Sequence, residues 1–360
     1  MSTAIDAKPQ VPRREILIGD AVERMQQLPE ASIDCVITSP PYFRLRNYEV
    51  DGQLGLEGHV DQWVNGLRTV ANEVARVLVP TGTLWLNVGD SYATHAREGA
   101  PRKSLLAGPE RLLMALIEDG WLVRNKIVWA KTNPIPSSVG DRLSTTHEVI
   151  YLLSRNSRYF FDLNAVRVPH KTRPSKRATE PTRPTGRPSK AAKAQRPAWL
   201  GPNSDGDAGL SAMQRDGRVG HPLGGNPGDV WAMSTSRYKG AHFATYPEHL
   251  IQRMVLAGCP EARCRICRVP WKRPIRRLGA TATRLALRGG CEHADTPEPG
   301  LVLDPFLGSG TTAVVAERLG RDWMGIELSP TFADLARHRL AEARKSPHGD
   351  TKTSKRKEVT

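Results

Sequence analysis

The chain has 360 residues, enough for one large domain with insertions or for two domains. Its 52 lysines and arginines outnumber its 37 aspartates and glutamates, and the resulting net charge of +15 predicts a polyanionic partner such as nucleic acid. No apolar run reaches the roughly 18 residues of a membrane-spanning helix, and residues 1–14 lack the apolar core of a signal peptide. We therefore expect a cytoplasmic, nucleoid-associated protein with no membrane partner.

Seven short apolar segments predict the strands of a sheet. In chain order they are 15–18, 33–37, 83–88, 125–130, 147–153, 301–304 and 323–326. Helices are predicted between them, most clearly over 60–78 and 105–118, where apolar residues recur every three or four positions. Continuously apolar strands that alternate with helices are typical of a doubly wound, mostly parallel, Rossmann-like α/β sheet. Ligands of such folds bind at the carboxyl ends of the strands.

The second predicted strand ends in a stiff turn, Ser39-Pro40-Pro41-Tyr42. The two prolines fix φ and remove backbone N–H groups, so the turn has few conformations to lose. The carbonyl groups of Ser39 and Pro40 are then free to accept hydrogen bonds, and Tyr42 adds a flat aromatic face. This combination suits a planar base that carries an amino group, although an ordinary proline-rich loop would share these features.

A second turn runs from Asp304 to Thr312 and leads from the sixth predicted strand into a helix. Gly308 and Gly310 let the backbone approach a ligand closely, and the helix N-terminus offers free N–H groups. The spacing matches neither the phosphate-binding loop nor the three-glycine fingerprint. Glu327 follows Gly308 by 19 residues at the end of the next strand, where an acid that binds ribose hydroxyl groups is expected. The two features together predict a nucleoside cofactor.

Helical and strand periodicity disappears between residues 168 and 229. Ten lysines or arginines but only one acid, Glu180, lie between Arg167 and Arg196, and a second basic cluster follows Lys345. We expect a loop-rich, partly disordered insertion that binds nucleic acid, together with cations of the loop after Tyr42. The candidate DNA-binding residues are Arg44, Arg46, Arg173, Lys176, Arg177, Arg183, Arg187 and Lys190.

A cysteine-rich patch precedes the second turn. Cys264 and Cys267 form a C-x-x-C knuckle, and Cys291 and His293 supply a second close pair. Four such ligands suit a structural, tetrahedral zinc ion in a small zinc-ribbon-like insertion. Cys259 is an alternative to His293 in this set, and reduced free thiols without metal are the alternative to the site as a whole.

These motifs together resemble the beta group of S-adenosylmethionine-dependent DNA amino-methyltransferases, the permuted N4-cytosine/N6-adenine family. In that family the catalytic tetrapeptide comes first, a target-recognition region follows, and the cofactor motif comes last. Residues 39–42 match the catalytic motif, and 304–310 match the cofactor motif. The basic region lies where target recognition belongs, and 242–247 resemble the segment that encloses the methionine end of the cofactor. The resemblance covers most of residues 14–342.

The resemblance implies methyl transfer from S-adenosylmethionine to the exocyclic amine of a base flipped out of double-stranded DNA. Tyr42 would stack on this base, while Ser39 and the carbonyl of Pro40 would accept hydrogen bonds from its amine. Asp20, at the end of the first strand, would contact the adenine amine of the cofactor or serve as a helix N-cap. The implied catalytic residues are Ser39, Pro40, Pro41 and Tyr42. The implied cofactor-binding residues are Asp20, Phe243, Ala244, Asp304, Pro305, Phe306, Gly308, Ser309, Gly310, Thr311 and Glu327.

Several alternatives stay open at this point. A serine at the first catalytic position favours cytosine N4 within the family, and adenine N6 is the alternative. RNA or a protein glutamine could replace DNA as the substrate, and an inactive, zinc-bearing DNA-binding protein could share the fold. The sequence also leaves open whether the protein forms a homodimer and whether a cognate restriction endonuclease accompanies it.

The motifs divide the chain into seven predicted parts. They are an N-terminal arm (1–13), the catalytic half of the methyltransferase domain (14–167), a basic target-recognition region (168–236), a cofactor-enclosing segment with a helix (237–258), the cysteine-rich insertion (259–295), the cofactor-binding half (296–342) and a basic, disordered tail (343–360).

Overall fold

The computed structural model describes residues 11–170, 221–235, 246–278, 281–293 and 297–345. These residues belong to two compact units. The larger unit takes the described residues of Met1–Ala165, Gly228–Pro274 and Ala286–Thr360, and the smaller unit takes those of Val166–Pro227 and Ile275–Leu285.

The described ranges contain twelve strands. In chain order they are β1 (Glu15–Ile18), β2 (Ile33–Thr38), β3 (Leu78–Val88), β4 (Leu122–Lys131), β5 (His147–Ser154), β6 (Val230–Met233), β7 (Arg263–Cys264), β8 (Ile275–Leu278), β9 (Thr281–Arg284), β10 (Pro297–Glu298), β11 (Leu301–Asp304) and β12 (Asp322–Glu327).

One eight-stranded sheet organises the larger unit, in the order β1-β12-β11-β2-β3-β5-β4-β6. Its strands run parallel except β5, which is antiparallel to both β3 and β4. The predicted α/β fold class is confirmed, and all seven predicted strands are present. The predicted number of seven is wrong by one, because β6 adds an eighth strand beside β4. This four-residue strand lies within 168–236, the predicted target-recognition region, where no strand was expected.

Seven α-helices accompany the strands in the described ranges. They are α1 (Ala21–Gln26), α2 (Val60–Val77), α3 (Gly108–Glu118), α4 (Leu163–Val166), α5 (Glu248–Gly258), α6 (Thr311–Arg318) and α7 (Pro330–Lys345). Helix α2 buries Trp63, Leu67 and Val74, as its periodicity predicts. Helix α3 begins later than predicted because Ala107, with φ of +53°, forms a left-handed turn before it. None of the helices in the part of the chain that the structure describes could span a bilayer.

A buried arginine closes the amino ends of β2 and β11. Arg263, in β7, is fully buried, and its Nη1 donates to Ser32 O at 2.8 Å and to Asp34 Oδ2 at 2.7 Å. Its Nε donates to Glu298 Oε1 at 2.9 Å, and β7 pairs with β10, which carries Glu298. The Asp34 carboxylate also accepts from the backbone N–H of Leu301 at 2.7 Å. The cysteine-rich insertion is thereby joined to two central strands of the sheet.

The smaller unit contains a two-stranded antiparallel hairpin, β8 and β9. An isolated bridge joins Val168 to Gly225, and the guanidinium of Arg167 donates to Gly224 O at 3.0 Å. Gly224 has φ of +109°, and a Cβ there would lie 2.3 Å from Val168 O, so the turn requires glycine.

Candidate active site and cysteine cluster

A cavity of about 330 Å³ opens at the carboxyl ends of β1, β2, β11 and β12. Parallel strands leave their last carbonyls and the following side chains at this edge of the sheet. Both predicted motifs contribute to its wall, together with residues that follow β1 and β12. The residues that line the cavity include Asp20, Ser39, Pro41, Tyr48, Leu54, Tyr246, Pro305, Phe306, Gly308, Ser309, Thr311, Glu327 and Phe332.

The turn after β2 is fixed from both sides. The indole N–H of Trp63 donates to the carbonyl of Pro41 at 2.9 Å. A Cβ added to Gly89 would lie 2.6 Å from Cε2 of Tyr42, so the absence of a side chain at residue 89 makes room for the ring. Ser39 and Pro41 line the cavity, and Pro40 is buried between them. The sequence predicts a stiff turn here, and these contacts with Trp63 and Gly89 add to the restriction that the prolines impose.

Polar side chains from three strands surround the hydroxyl groups of Ser39 and Tyr42. The Tyr42 hydroxyl donates to Glu148 Oε2 at 2.5 Å, and the Ser39 hydroxyl donates to Tyr42 Oη at 3.2 Å. Asn87 Nδ2 lies 2.8 Å from both Tyr42 Oη and Glu148 Oε2, and Lys131 Nζ lies 2.5 Å from Glu148 Oε1. Burial, and then the neighbouring Glu148 carboxylate, raise the pKa of Tyr42 well above its usual value. Tyr42 therefore remains protonated at neutral pH.

Asp304 lies behind the cavity wall. Its carboxylate is fully buried and accepts from Thr38 Oγ1 at 2.7 Å, from Thr312 Oγ1 at 2.6 Å and from the Tyr246 hydroxyl at 2.8 Å. Burial raises the pKa of Asp304, and these hydrogen bonds oppose the rise. Gly310, with φ of +80°, is the N-cap of α6 and is likewise absent from the lining. Both residues support the cavity wall from behind, and their contact with the cofactor stays a prediction.

Glu327 lines the cavity and fixes the glycine turn beside it. Its Oε2 accepts from the backbone N–H of Gly308 at 2.7 Å, and its Oε1 accepts from that of Ser329 at 2.9 Å. Burial raises the pKa of Glu327. The glycine turn after β11 and the acid at the end of β12, both predicted for the cofactor site, are therefore joined by a hydrogen bond.

Asp20 is a helix N-cap, one of the two roles predicted for it, and its contact with the cofactor stays a prediction. Its Oδ1 accepts from the backbone N–H groups of Val22 at 2.8 Å and Glu23 at 3.1 Å, which makes it the N-cap of α1. It also lines the cavity on the side opened by β1. Its carboxylate can serve the helix and a ligand at once, because Oδ2 takes no part in these two bonds.

The sequence missed several residues of the cavity. Tyr48 and Phe332 pack edge to face, with ring centroids 5.9 Å apart, and add two aromatic rings to the wall. Arg339 donates to Ser309 Oγ at 3.0 Å and to Thr311 Oγ1 at 2.7 Å, and thereby orients two predicted cofactor residues. Tyr48 was visible only as an aromatic residue among cations, and the other two occupy ordinary positions of an amphipathic helix.

The predicted DNA-binding residues are only partly described. Arg44 forms an ion pair with the buried Glu98, with Nη1 2.6 Å from Oε1, so its charge is already partnered within the protein. Arg46 is partly exposed in the same loop. Arg173, Lys176, Arg177, Arg183, Arg187 and Lys190 lie outside the described residues, as do the predicted cofactor residues Phe243 and Ala244.

The predicted metal ligands come together. One donor atom each from Cys264, Cys267, Cys291 and His293 lies within 4.8 Å of all the others. None of the five cysteines, all of them among the described residues, forms a disulfide bond, and Cys259 is fully buried outside this cluster. His293, not Cys259, therefore completes the set of four. Three cysteines and one histidine form one of the ligand sets that structural zinc sites in general use.

The fold and the cavity together define an α/β protein with a candidate ligand site at the carboxyl ends of its strands. The family model of N6/N4 DNA methylases matches residues 33–338. The type II methyltransferase M.Cfr9I of Citrobacter freundii is 32% identical over 344 residues, which cover 89% of this chain and 86% of that protein. The chain belongs to this family of DNA methylases, as the resemblance predicts, and is a DNA methyltransferase.

Two solved structures show the same fold. The cytosine-N4-specific PvuII DNA methyltransferase superposes with a TM-score of 0.53 and 18% identity over 92% of each chain. A Thermus thermophilus protein, assigned as a DNA modification methylase and complexed with S-adenosyl-L-methionine, gives a TM-score of 0.50 and 22% identity over 93% of this chain and 95% of that chain. At these identities the likeness concerns the fold alone.

Proposed function

We propose that this chain transfers a methyl group from S-adenosylmethionine to the N4 amine of a cytosine flipped out of double-stranded DNA. One observation carries the proposal: Ser39 lines the same cavity as Gly308 and Glu327, so the catalytic turn and the cofactor turn face one space. When bound, the cofactor supplies an electrophilic methyl group on a sulfonium. The residues of this chain contribute binding, orientation and exclusion of water.

Different residues of this chain bind the base and the cofactor. Tyr42 stacks on the flipped base, and Ser39 Oγ with the carbonyl of Pro40 accepts hydrogen bonds from its amine. These acceptors turn the nitrogen lone pair toward the methyl group, so no covalent intermediate with a cysteine is needed. Asp20 and Glu327, at the ends of β1 and β12, bind the adenosine part of the cofactor.

The choice of cytosine over adenine depends on Ser39, because the family places serine there for N4 and aspartate or asparagine for N6. Incubation of DNA with the protein and isotope-labelled S-adenosylmethionine, followed by mass spectrometry of the nucleosides, tests it. N4-methylcytosine is the expected product, and N6-methyladenine would contradict the choice of base alone. No labelled nucleoside in DNA of any sequence would contradict the whole proposal. Mapping the modified positions would then define the recognition sequence.

The designation of relatives as type II methyltransferases supports a further proposal, that a restriction endonuclease with the same recognition sequence accompanies this enzyme. Cleavage of DNA at the mapped sequence, before and after methylation by this protein, tests it. Methylated DNA is expected to resist an endonuclease encoded beside this protein; the absence of any such cleavage activity would contradict the pairing.

The cysteine cluster is proposed to hold one structural Zn²⁺. Three thiolates and one imidazole would complete a closed tetrahedral shell, which leaves no open position for catalysis. Metal analysis of the purified protein is expected to give one zinc per chain. Cys267→Ser should lose this metal and lower the melting temperature, because metal binding adds to folding free energy. Cys35→Ser, at a buried cysteine outside the cluster, is the control that should keep the metal.

A further inference from the structure

Two charged residues, Glu148 and Lys131, lie behind the catalytic turn, where Glu148 contacts Tyr42 and Lys131 contacts Glu148. The proposed mechanism assigns neither of them a role. Lys131 is the last residue of β4 and Glu148 the second residue of β5, so the antiparallel direction of β5 brings them to the carboxyl edge of the sheet. Their side chains are only 15% and 22% exposed, and Nζ of the lysine lies 2.5 Å from Oε1 of the glutamate. Such a pair, largely removed from water, holds its geometry.

The direction of each hydrogen bond follows from which groups can donate. A lysine ammonium and an amide nitrogen only donate, and an ionised carboxylate only accepts. The Tyr42 hydroxyl, 2.5 Å from Glu148 Oε2, must therefore give its proton to the glutamate. The lone pairs of Tyr42 Oη are then turned toward Asn87 Nδ2 at 2.8 Å and toward the Ser39 hydroxyl at 3.2 Å.

The direction of the Tyr42 hydrogen bond also fixes the direction of the Ser39 hydroxyl. Because Tyr42 has committed its proton to Glu148, the hydroxyl hydrogen of Ser39 points toward Tyr42, where a lone pair accepts it. Its oxygen also receives a weaker contact from Asn87 Nδ2 at 3.3 Å. One lone pair of Ser39 Oγ is then left for a ligand, and the residue lines the cavity. A hydroxyl held in this way can only accept from a ligand.

Glu148 also fixes Asn87. This asparagine is 3% exposed, and its Oδ1 has no hydrogen-bond partner among the residues that the structure describes. Nδ2 of Asn87 now lies 2.8 Å from Oε2 of Glu148. A flip of the amide would exchange Nδ2 and Oδ1 and so place Oδ1 against this carboxylate oxygen. Repulsion between two acceptors prevents the flip. One carboxylate thus orients both neighbours of the Ser39 hydroxyl, Tyr42 as its acceptor and Asn87 as its donor.

We propose that Glu148, held in place by Lys131, is a positioning residue that keeps Ser39 a hydrogen-bond acceptor and so selects a base edge with an amino group. This inference rests on the proposed function, which gives Ser39 that amine as its ligand. A carbonyl at the same position of the base would meet only another acceptor, and the site would lose a hydrogen bond with it. Glu148 is then a determinant of specificity that never touches the base.

Neutralising the glutamate without changing its shape tests the inference. Glu148→Gln can donate to Tyr42 as well as accept from it, so the directions of the bonds are no longer fixed. We expect kcat for DNA methylation to fall by about 10²-fold, the size of effect that misplacement of a reacting group produces. The Kd of S-adenosylmethionine and the melting temperature should change little. Lys131→Met, which leaves the glutamate charged but less firmly held, should lower kcat by less.

A matched control exists on the same strand. Lys126 forms an ion pair with Glu110 at 2.7 Å, but these side chains are 44% and 49% exposed. Glu110→Gln removes the same charge from the same kind of pair, on a glutamate of α3 whose carboxylate binds Lys126. It should leave kcat, KM and stability unchanged. An equal loss of activity in both variants would contradict a specific role for Glu148.

A double-mutant cycle separates positioning from structural support. Tyr42→Phe keeps the aromatic ring but removes the hydroxyl through which Glu148 acts on Ser39. Each single variant should lower kcat, and Glu148→Gln should have almost no further effect in the Tyr42→Phe background. Additive losses would overturn the inference, because two independent structural contributions add.

Neutron diffraction from crystals of the wild-type protein tests the same point without the reaction. The deuterium on Ser39 Oγ is expected to point toward Tyr42 Oη, and the deuterium on Tyr42 toward Glu148. A Ser39 deuterium directed into the cavity would overturn the inference even if DNA methylation is active. Failure of wild-type methylation with the expected deuterium positions would instead overturn the proposed function and retain the positioning network.

Discussion

The amino ends and the carboxyl ends of β2 and β11 both carry buried polar side chains, but only the carboxyl ends border a cavity. At the amino ends, Arg263 and Asp34 are both almost completely buried and bind each other at 2.7 Å. At the carboxyl ends, Thr38 and Asp304 form a comparable buried contact at 2.7 Å, but the residues that follow open into a cavity. The same two strands therefore carry a closed polar cluster at one end and an accessible site at the other.

The difference shows how the fold separates stability from chemistry. Burial raises the pKa of Asp34, and the Coulomb attraction of Arg263, followed by the hydrogen bond from Leu301 N–H, opposes the rise. Glu327 at the opposite end is also buried enough to have a raised pKa, yet it borders open space and can receive a ligand. Substitutions at the amino ends should therefore change folding, and those at the carboxyl ends should change binding and rate.

The largest expected effect is at the closed end. Arg263→Met removes the cation that contacts Asp34 and leaves this buried carboxylate without its ion-pair partner, whereas Glu298 keeps its ion pairs with Arg13 and Arg268. We expect the free energy of unfolding to fall by about 3–5 kcal/mol, as for other broken buried ion pairs. Urea denaturation followed by circular dichroism measures it.

The control for this change is a surface ion pair, whose charges are screened by solvent. Arg337 and Asp334 form an ion pair at 2.6 Å on α7, with side chains 48% and 67% exposed. Arg337→Met should cost less than about 1 kcal/mol. If Arg263→Met were no more costly than Arg337→Met, the amino ends would not be a stabilising cluster, and the contrast between the two ends would disappear.

At the open end, Tyr42→Ala should reduce kcat by about 10²-fold, because it removes the stacking platform for the base and loosens its position. The cofactor cavity retains its glycine turn, so the Kd of S-adenosylmethionine should change by less than about twofold. Rapid-quench measurement of methyl transfer and calorimetric titration of the cofactor provide the two values. Loss of cofactor binding in this variant would show that the two turns do not have separate roles.

Glu327→Ala should do the reverse and weaken cofactor binding by about 1.5–3 kcal/mol, the range for hydrogen bonds to charged groups. The Gly308 N–H also loses its acceptor, so the turn itself becomes less well fixed. Glu327→Gln keeps one acceptor oxygen for this turn and is the matched control, with a smaller loss of affinity. Equal affinity of wild type and Glu327→Ala, by calorimetry, would remove Glu327 from the cofactor site.

Much of the fold could be predicted from the sequence, because long apolar strands and amphipathic helices are local patterns. Helix α2 begins at Val60, as predicted, since His59 and Gln62 form a capping box before the apolar stripe. Strand β6 could not be predicted, because four residues that alternate in burial have little periodicity of their own. Its pairing with β4 is a long-range contact that supplies what the local pattern lacks.

The candidate site was predictable in part for a related reason. Ser39 and Gly308 belong to contiguous motifs whose turn chemistry is visible in the chain. Asn87 and Glu148 come from separate strands, and Glu148 reaches the site only because β5 runs antiparallel to its neighbours. A polar residue inside the apolar run 83–88 was the one signal for Asn87. Strand direction, which decides which end of a segment meets the site, is not encoded locally.

The smallest expected effect concerns Asp20, which lies at the open end but also stabilises a helix. Asp20→Ala should lower the free energy of unfolding by about 1 kcal/mol through loss of the α1 N-cap, and it should also weaken cofactor binding. Asp20→Ser retains a capping oxygen on a shorter side chain. Stability should therefore return in this variant while affinity does not, because the hydroxyl no longer reaches into the cavity. Recovery of both quantities would mean that the cap alone supports the site, and an unchanged affinity in Asp20→Ala would limit Asp20 to the helix.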